Sequence, residues 1–385
     1  MKQLVICLVI ISFIFCGPLA AKIKVGESEF VDIKTPGHFP DAAPDTLVWS
    51  HTIEKPGMAW IKPHFDKFRL NPADYIELVD INGVVIERIL GSDLADQNET
   101  RFKVKDKGNG KISFWAPAVD GDVLTVNLYA GSIESKAYGF RIDKLGLGTV
   151  PIFEEPAQES ICGTDDKVSI ACVAYTPYGN RGRAVGRMLF EVDNEWKMCT
   201  GFLCSCDSPH FLTNWHCISS QSTVDTLQVR FYYRLSQCGG MGATYYTYSG
   251  DDFIIDNSDY DFCLLTLCGS PQYNYGYLSL LNIDPSSGRE SIPVPPPSVG
   301  EDIYIIQHPG GRMQEISFGT VYGSSVNSGK DFSYYVDTEL GSSGSPVFQE
   351  SSDKVLGLHH YGGCPNSAVK MNHIYEYITG YLGCN

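Results

Sequence analysis

The stretch Gly341-Ser-Ser-Gly-Ser-Pro-Val-Phe348 decides how this chain is read. Glycines around serines let the main chain turn sharply and let amides face an oxygen held in front of them. A hydroxyl raised on such a turn is a candidate nucleophile. Ser342, Ser343 and Ser345 are all eligible, and a bare Gly/Ser loop is the plainest alternative.

A serine hydroxyl attacks poorly until a base takes its proton and an acid orients that base. Upstream, Phe211-Leu-Thr-Asn-Trp-His-Cys217 is an apolar run ending in a histidine followed directly by a cysteine; a core histidine beside a structural disulfide would leave the same letters. Between the two lies Ser258-Asp-Tyr-Asp-Phe-Cys-Leu-Leu265, which carries an aspartate into an apolar strand. Asp261 fits better than Asp252, Asp256 or Asp259 because the apolar run starts immediately after it.

Taken together, the three motifs resemble those of chymotrypsin-like serine peptidases. The resemblance implies His216 as general base, Asp261 as the carboxylate that orients it, Ser343 as nucleophile, and the amides of Gly341 and Ser343 as the oxyanion hole. It also implies a double β-barrel. The short strand-like runs Leu227–Tyr233, Phe262–Leu267, Asp302–Ile306 and Val355–Leu358 agree with that, and the apolar spacing of Asn372–Leu382 predicts a terminal helix.

Over residues 160–385 the chain is more narrowly similar to lysyl endopeptidases, through Cys162, Cys172, Cys199-Thr-Gly, His216-Cys217, Cys238, Gln307-His-Pro309, Thr338-Glu-Leu-Gly-Ser-Ser-Gly-Ser-Pro346, Val355-Leu-Gly357 and Cys364. That likeness implies the disulfides Cys162–Cys364, Cys172–Cys238 and Cys199–Cys217. Cys204, Cys206, Cys263, Cys268 and Cys384 are left over. A further bridge between the 204/206 and 263/268 pairs is the expectation in an oxidising compartment, ahead of a zinc site near His210, and Cys384 is the candidate for an unpaired thiol. In one respect the chain departs from many chymotrypsin-like enzymes, which place an aspartate directly before the nucleophile and complete the site when a freshly cut N-terminus pairs with it. Ser342 occupies that position, so the pairing is excluded and the N-terminal part need not be an inhibitory propeptide.

Substrate selection is read from the residues before the nucleophile and from Leu358-His-His-Tyr-Gly-Gly363. Asp337 matches the place where trypsin-like enzymes keep the acid that receives Lys or Arg, so a basic P1 residue is the expectation. A strand aspartate bonded to backbone amides is the alternative for Asp337. Lysyl endopeptidases take their acid from beyond the sixth family cysteine, and Cys364-Pro-Asn-Ser-Ala368 offers none. Thr338 and His359 fall where glutamyl endopeptidases bind a carboxylate, which makes an acidic P1 the rival; His360 belongs to the same candidate pocket.

From residue 22 to 147 the pattern is alternating stretches such as Tyr75–Ile81 and Val123–Tyr129 between Gly, Asp and Asn, which reads as a cysteine-free β-sandwich. It resembles a CUB-like module through Pro36–Pro40, Trp49–Ile53, His64–Phe68, Asp74–Glu77 and Tyr138–Phe140. A protein or glycan ligand would suit such an accessory domain. Residues 148–160 read as a linker and 161–385 as the peptidase domain. Asn98-Glu-Thr100 is a glycosylation sequon.

Residues 1–21 carry Lys2, the apolar run Leu4–Cys16, then Ala20 and Ala21, the pattern of a secretory signal peptide. The run is shorter than the roughly 20 residues of a bilayer span. Apolar residues make up 43% of the chain and charged ones 19%, ample for a folded core. With a formal charge of -16 and no cluster of Lys and Arg, nucleic acid is not an expected partner. The reading is an all-β, secreted serine endopeptidase acting on proteins or peptides without a cofactor or metal; a silent secreted binding protein of the same fold is the alternative.

Overall fold

Strand formation follows the two-residue period of the sequence. Along Val123–Ala130 the side chains of Leu124, Val126, Leu128 and Ala130 are buried while the intervening ones are half-buried. The computed structural model describes residues 23–36, 39, 42–95, 99–131, 139–149, 160–284 and 289–383. The expected signal segment, Asn98, most of the expected linker and Cys384 lie outside these residues.

The N-terminal part is a sandwich. One layer is the four-stranded sheet of Thr46–Glu54, Val123–Ala130, Tyr75–Val79 and Val85–Leu90. The other holds Ile23–Lys34, Gly139–Gly148, Trp60–Arg69 and Ile112–Trp115. Ile76, Leu78 and Val126 from the first layer pack against Phe65, Phe68, Phe114 and Phe140 from the second. Each fully buried apolar side chain of this kind is worth about 1.5–3 kcal/mol, which lets the module dispense with disulfides.

Two closed six-stranded barrels follow. The first contains Val185–Val192, Glu195–Leu203, His210–Thr213, Gln228–Leu235, Ala243–Asn257 and Phe262–Leu267, closed by pairing of its first two strands. Asp193 and Asn194 link those two strands with φ of 53° and 63°, the left-handed pair that a tight hairpin demands. The second barrel contains Asp302–Gln307, Glu315–Val326, Asp331–Tyr334, Pro346–Gln349, Val355–Tyr361 and Asn366–Lys370. The terminal helix spans Met371–Ile378 and buries Met371, Ile374 and Ile378, residues one helical face apart. Among the described residues no helix is long and apolar enough to cross a membrane.

The sandwich and the first barrel share a sheet. Strand Ile23–Lys34 pairs with Gly139–Gly148 on one side and with Glu195–Leu203 on the other. An accessory domain followed by a linker does not convey this, because main-chain hydrogen bonds run across the expected boundary.

Cys162–Cys364, Cys172–Cys238 and Cys199–Cys217 are bonded as the resemblance implied. The further bridge between the 204/206 and 263/268 pairs is not formed: Cys204, Cys263 and Cys268 are free and buried, and Cys206 is disulfide-bonded but to none of them. Cys204 and Cys263 pack as small hydrophobes in the apolar interior of the first barrel, Cys268 Sγ donates to the Gly250 carbonyl, and burial raises the pKa of all three.

Candidate active site

His216 follows the strand His210–Thr213 at the rim of the first barrel, and Asp261 immediately precedes the strand Phe262–Leu267 beside it. The register Thr213↔Cys263 therefore brings the two residues together. Asp261 Oδ2 lies 2.8 Å from His216 Nδ1, and its Oδ1 accepts from the His216 amide at 2.9 Å. Asp261 has φ of 42°, a conformation fixed in part by Asn214 Nδ2, which donates to its carbonyl at 2.9 Å. The other ring nitrogen of His216, Nε2, is buried and has no hydrogen-bond partner among the described residues.

A second imidazole stands on the same carboxylate. His360 Nδ1 is 3.3 Å from Asp261 Oδ2, and its Nε2 is 3.2 Å from Asp331 Oδ2. Burial alone would raise the Asp261 pKa; the hydrogen bond from His216 and the close approach of the His360 imidazole outweigh it and hold the carboxylate well below its ordinary range. For His360 the balance also favours charge, since burial lowers its pKa but Asp261 and Asp331 raise it more. His360 was expected in the substrate pocket. With a carboxylate at each ring nitrogen, it sits behind the His216–Asp261 pair instead.

Ser343 comes from the second barrel. Gly341 and Gly344 have φ of 95° and 87°, which leaves no strain-free room for a side chain at either. A Cβ on Gly344 would meet the carbonyl of Thr200 at 2.0 Å. Of the three candidate hydroxyls, those of Ser342 and Ser345 belong to fully buried residues, whereas Ser343 is partly exposed. Ser343 and its neighbours are tied to the first barrel: Thr200 N donates to Ser343 O at 2.8 Å and Thr200 Oγ1 to Gly341 O at 2.9 Å. Thr200 adjoins Cys199, whose disulfide reaches Cys217, the residue after His216. The amides of Ser342, Gly344 and Ser345 donate to the carbonyls of Glu339, His359 and Ser342. Among the described residues no carbonyl accepts from the amides of Gly341 or Ser343.

Asp337 takes the alternative form: its carboxylate accepts from Cys162 N at 2.8 Å and from Asp166 N at 3.0 Å. Those bonds correct the expectation of a free S1 acid. Thr338 is fully buried and its Oγ1 has no hydrogen-bond partner among the described residues. His359 lies with Nδ1 2.7 Å from the Tyr334 hydroxyl, and its pKa is pushed down to about 3 by burial and then by His360 and His216. Cys199, His216 and Cys217 place their ligand atoms within 4.8 Å of one another, but the two sulfurs are bonded together and cannot act as thiolate ligands. Sequence reasoning missed Asp331 and the part played by His360; the adjacent histidines were the available signal.

Residues 163–377 match the lysyl endopeptidase C-terminal domain family. The chain is 30% identical over 340 residues to secreted RxLR effector protein 73 of Plasmopara viticola, covering 80% of this chain and 76% of that one. It is 25% identical over 295 residues to lysyl endopeptidase of Pseudomonas aeruginosa, covering 70% of this chain and 61% of the enzyme. Among solved structures, the serine endoprotease from Yersinia pestis is similar with a TM-score of 0.39 and 14% identity, over 53% of this chain and 66% of that one. The chain belongs to the lysyl endopeptidase family.

Proposed function

We propose that this protein is a secreted serine endopeptidase that cuts through an acyl-enzyme on Ser343. Ser343 Oγ attacks the substrate carbonyl while its proton passes to His216 Nε2; the amides of Gly341 and Ser343 receive the oxyanion. His216 returns the proton to the leaving amine, and water repeats the sequence to release the acid. Asp261 holds the imidazole in the tautomer that leaves Nε2 without a proton and stabilises the imidazolium that forms. The observation that carries this reading is the state of His216, bonded at Nδ1 by Asp261 and unpartnered at a buried Nε2. In support, the serine loop hangs from Thr200, next to the disulfide that flanks that imidazole.

A P1 preference for Lys or Arg rested on Asp337, whose carboxylate is committed to two amides. The Thr338 hydroxyl, unpartnered among the described residues, favours a second reading, an acidic P1 residue. The signal-peptide pattern and the secreted relative favour an extracellular site of action. A digest of a mixed protein extract, read by mass spectrometry beside Ser343→Ala, tests these points together. New C-termini in the wild-type digest alone are expected, enriched in Glu or Asp under the second reading. Equal fragmentation by both proteins would remove Ser343 as nucleophile, and enrichment in Lys or Arg would remove the acidic reading.

A further inference from the structure

The loop that carries Ser343 is gripped by an ion cluster. Glu339 Oε1 lies 2.9 Å from Lys167 Nζ and 2.7 Å from an Arg312 nitrogen, and its Oε2 accepts from Arg312 at 2.8 Å. The side chains of Glu339 and Lys167 are each 1% exposed. Asp165 completes the cluster on the lysine side at 2.7 Å and Glu315 on the arginine side at 3.3 Å. Charges removed from water this far interact strongly, and losing one partner leaves the other uncompensated.

What the cluster holds is the main chain of residues 339–343. Glu339 O accepts from Ser342 N, Leu340 O from Gly310 N at 2.7 Å, Gly341 O from Thr200 Oγ1, and Ser343 O from Thr200 N. Ser342 Oγ accepts from the Glu339 amide at 3.2 Å, so the residue that stands where a cut N-terminus would find an aspartate is occupied within the loop. With these carbonyls committed, the peptide planes are fixed, and the amides of Gly341 and Ser343 remain open. Both cations reside in the chain itself. Arg312 follows the Pro309–Gly311 turn, whose Gly310 amide holds Leu340; Lys167 follows Cys162, which is bonded to Cys364.

We propose that Lys167 and Arg312 are positioning residues which, through Glu339, keep the oxyanion loop permanently in its acting shape, so that the chain hydrolyses peptides with residues 22–147 attached and without a cut to create an N-terminus. The inference rests on the serine peptidase reading above. It is tested on the full chain after signal removal, with its intact mass recorded before and after assay, beside Lys167→Met, Lys167→Arg, Glu339→Gln and Ser343→Ala, each with a thermal melt. The uncut wild type is expected to turn over substrate. Lys167→Met and Glu339→Gln are expected to lose about 10- to 100-fold in kcat with KM within about threefold, as for a weakened oxyanion site, and Lys167→Arg to recover most of the loss.

Unchanged kcat in Lys167→Met, or loss confined to KM, overturns the proposal while Ser343 stands. So does wild-type activity that appears only after cleavage between residues 148 and 167, a result that needs no variant and is unaffected by misfolding. Wild type inactive both before and after such a cut overturns the proposal and the peptidase reading together.

Discussion

The molecule has two seams, and they are closed differently. Between the sandwich and the first barrel, Ile23, Lys24, Gly26 and Glu27 pair along Met198, Lys197, Trp196 and Glu195. Trp60 and Trp115 meet Trp196 edge-on there, at 5.8 and 5.1 Å. Two buried basic side chains cross the same seam: Lys62 Nζ donates to Gln228 Oε1 at 2.8 Å and Arg230 to the Ala118 carbonyl at 2.7 Å. Between the two barrels, Thr200 on the strand Glu195–Leu203 holds the serine turn through bonds to the carbonyls of Ser343 and Gly341. The first seam uses main-chain pairing, edge-on tryptophans and the bonds of Lys62 and Arg230 to hold two bodies as one. The second leaves an imidazole nitrogen and two amides uncommitted, which is what a reacting carbonyl requires.

Substitutions on either side of this contrast should separate chemistry from stability. The largest effect is expected for Ser343→Ala, a fall in kcat of about 10⁵- to 10⁶-fold with an unchanged melting temperature, read from peptide hydrolysis and a thermal scan. Next comes Gly344→Ala. Its Cβ meets main-chain oxygen and its φ is positive, so the serine must shift; kcat/KM should fall by about 100-fold or more. The same chemical change in the other seam should behave oppositely. A Cβ on Gly146 would meet the Trp196 ring at 2.7 Å, so Gly146→Ala should cost about 1–3 kcal/mol in urea unfolding and leave kcat untouched. A loss of activity there equal to that at Gly344 would erase the distinction between the seams.

A smaller effect is expected in the pH dependence of stability. His359 is neutral in the fold down to about pH 3, whereas an unfolded histidine takes its proton near pH 6.5. The unfolded chain therefore binds more protons between those values, and stability falls as pH falls through that window. Asp261, with its pKa held down, adds loss in the same direction below the ordinary carboxylate range. His360, with its pKa raised, works the other way: its contribution is full below the unfolded histidine value and fades as pH rises through the raised one. Urea unfolding of His359→Asn at pH 4.5, 5.5 and 6.5 should flatten the acid slope by up to about 1.4 kcal/mol per pH unit. An unaltered slope would mean that His359 is protonated in the fold.

The strands and the sharp turns of the Gly341–Ser345 loop were legible because local rules govern them. Phe262–Leu267 reads as an apolar strand from its letters, and Gly341 and Gly344 announce positive φ. The order of His216, Asp261 and Ser343 carried the rest of the candidate site. What stayed hidden depends on distant partners. Nothing in Ile23–Lys34 says that it will pair with a strand beginning at Glu195, and Asp337 looks the same whether it awaits a substrate or caps the amides of Cys162 and Asp166. One bridge between the 204/206 and 263/268 pairs was expected, yet a buried site suits a thiol as readily as a disulfide. Lys167 and Glu339 were visible only as charges in polar stretches, because burial, which gives them weight, is a property of the fold.

The most direct measurement is the mass of the intact chain after reaction with a fluorophosphonate, followed by mapping of the modified peptide. One adduct per chain on Ser343, absent from His216→Ala and formed with residues 22–147 in place, is the predicted result. An adduct on Ser342 or Ser345, or an equal yield without His216, would contradict it.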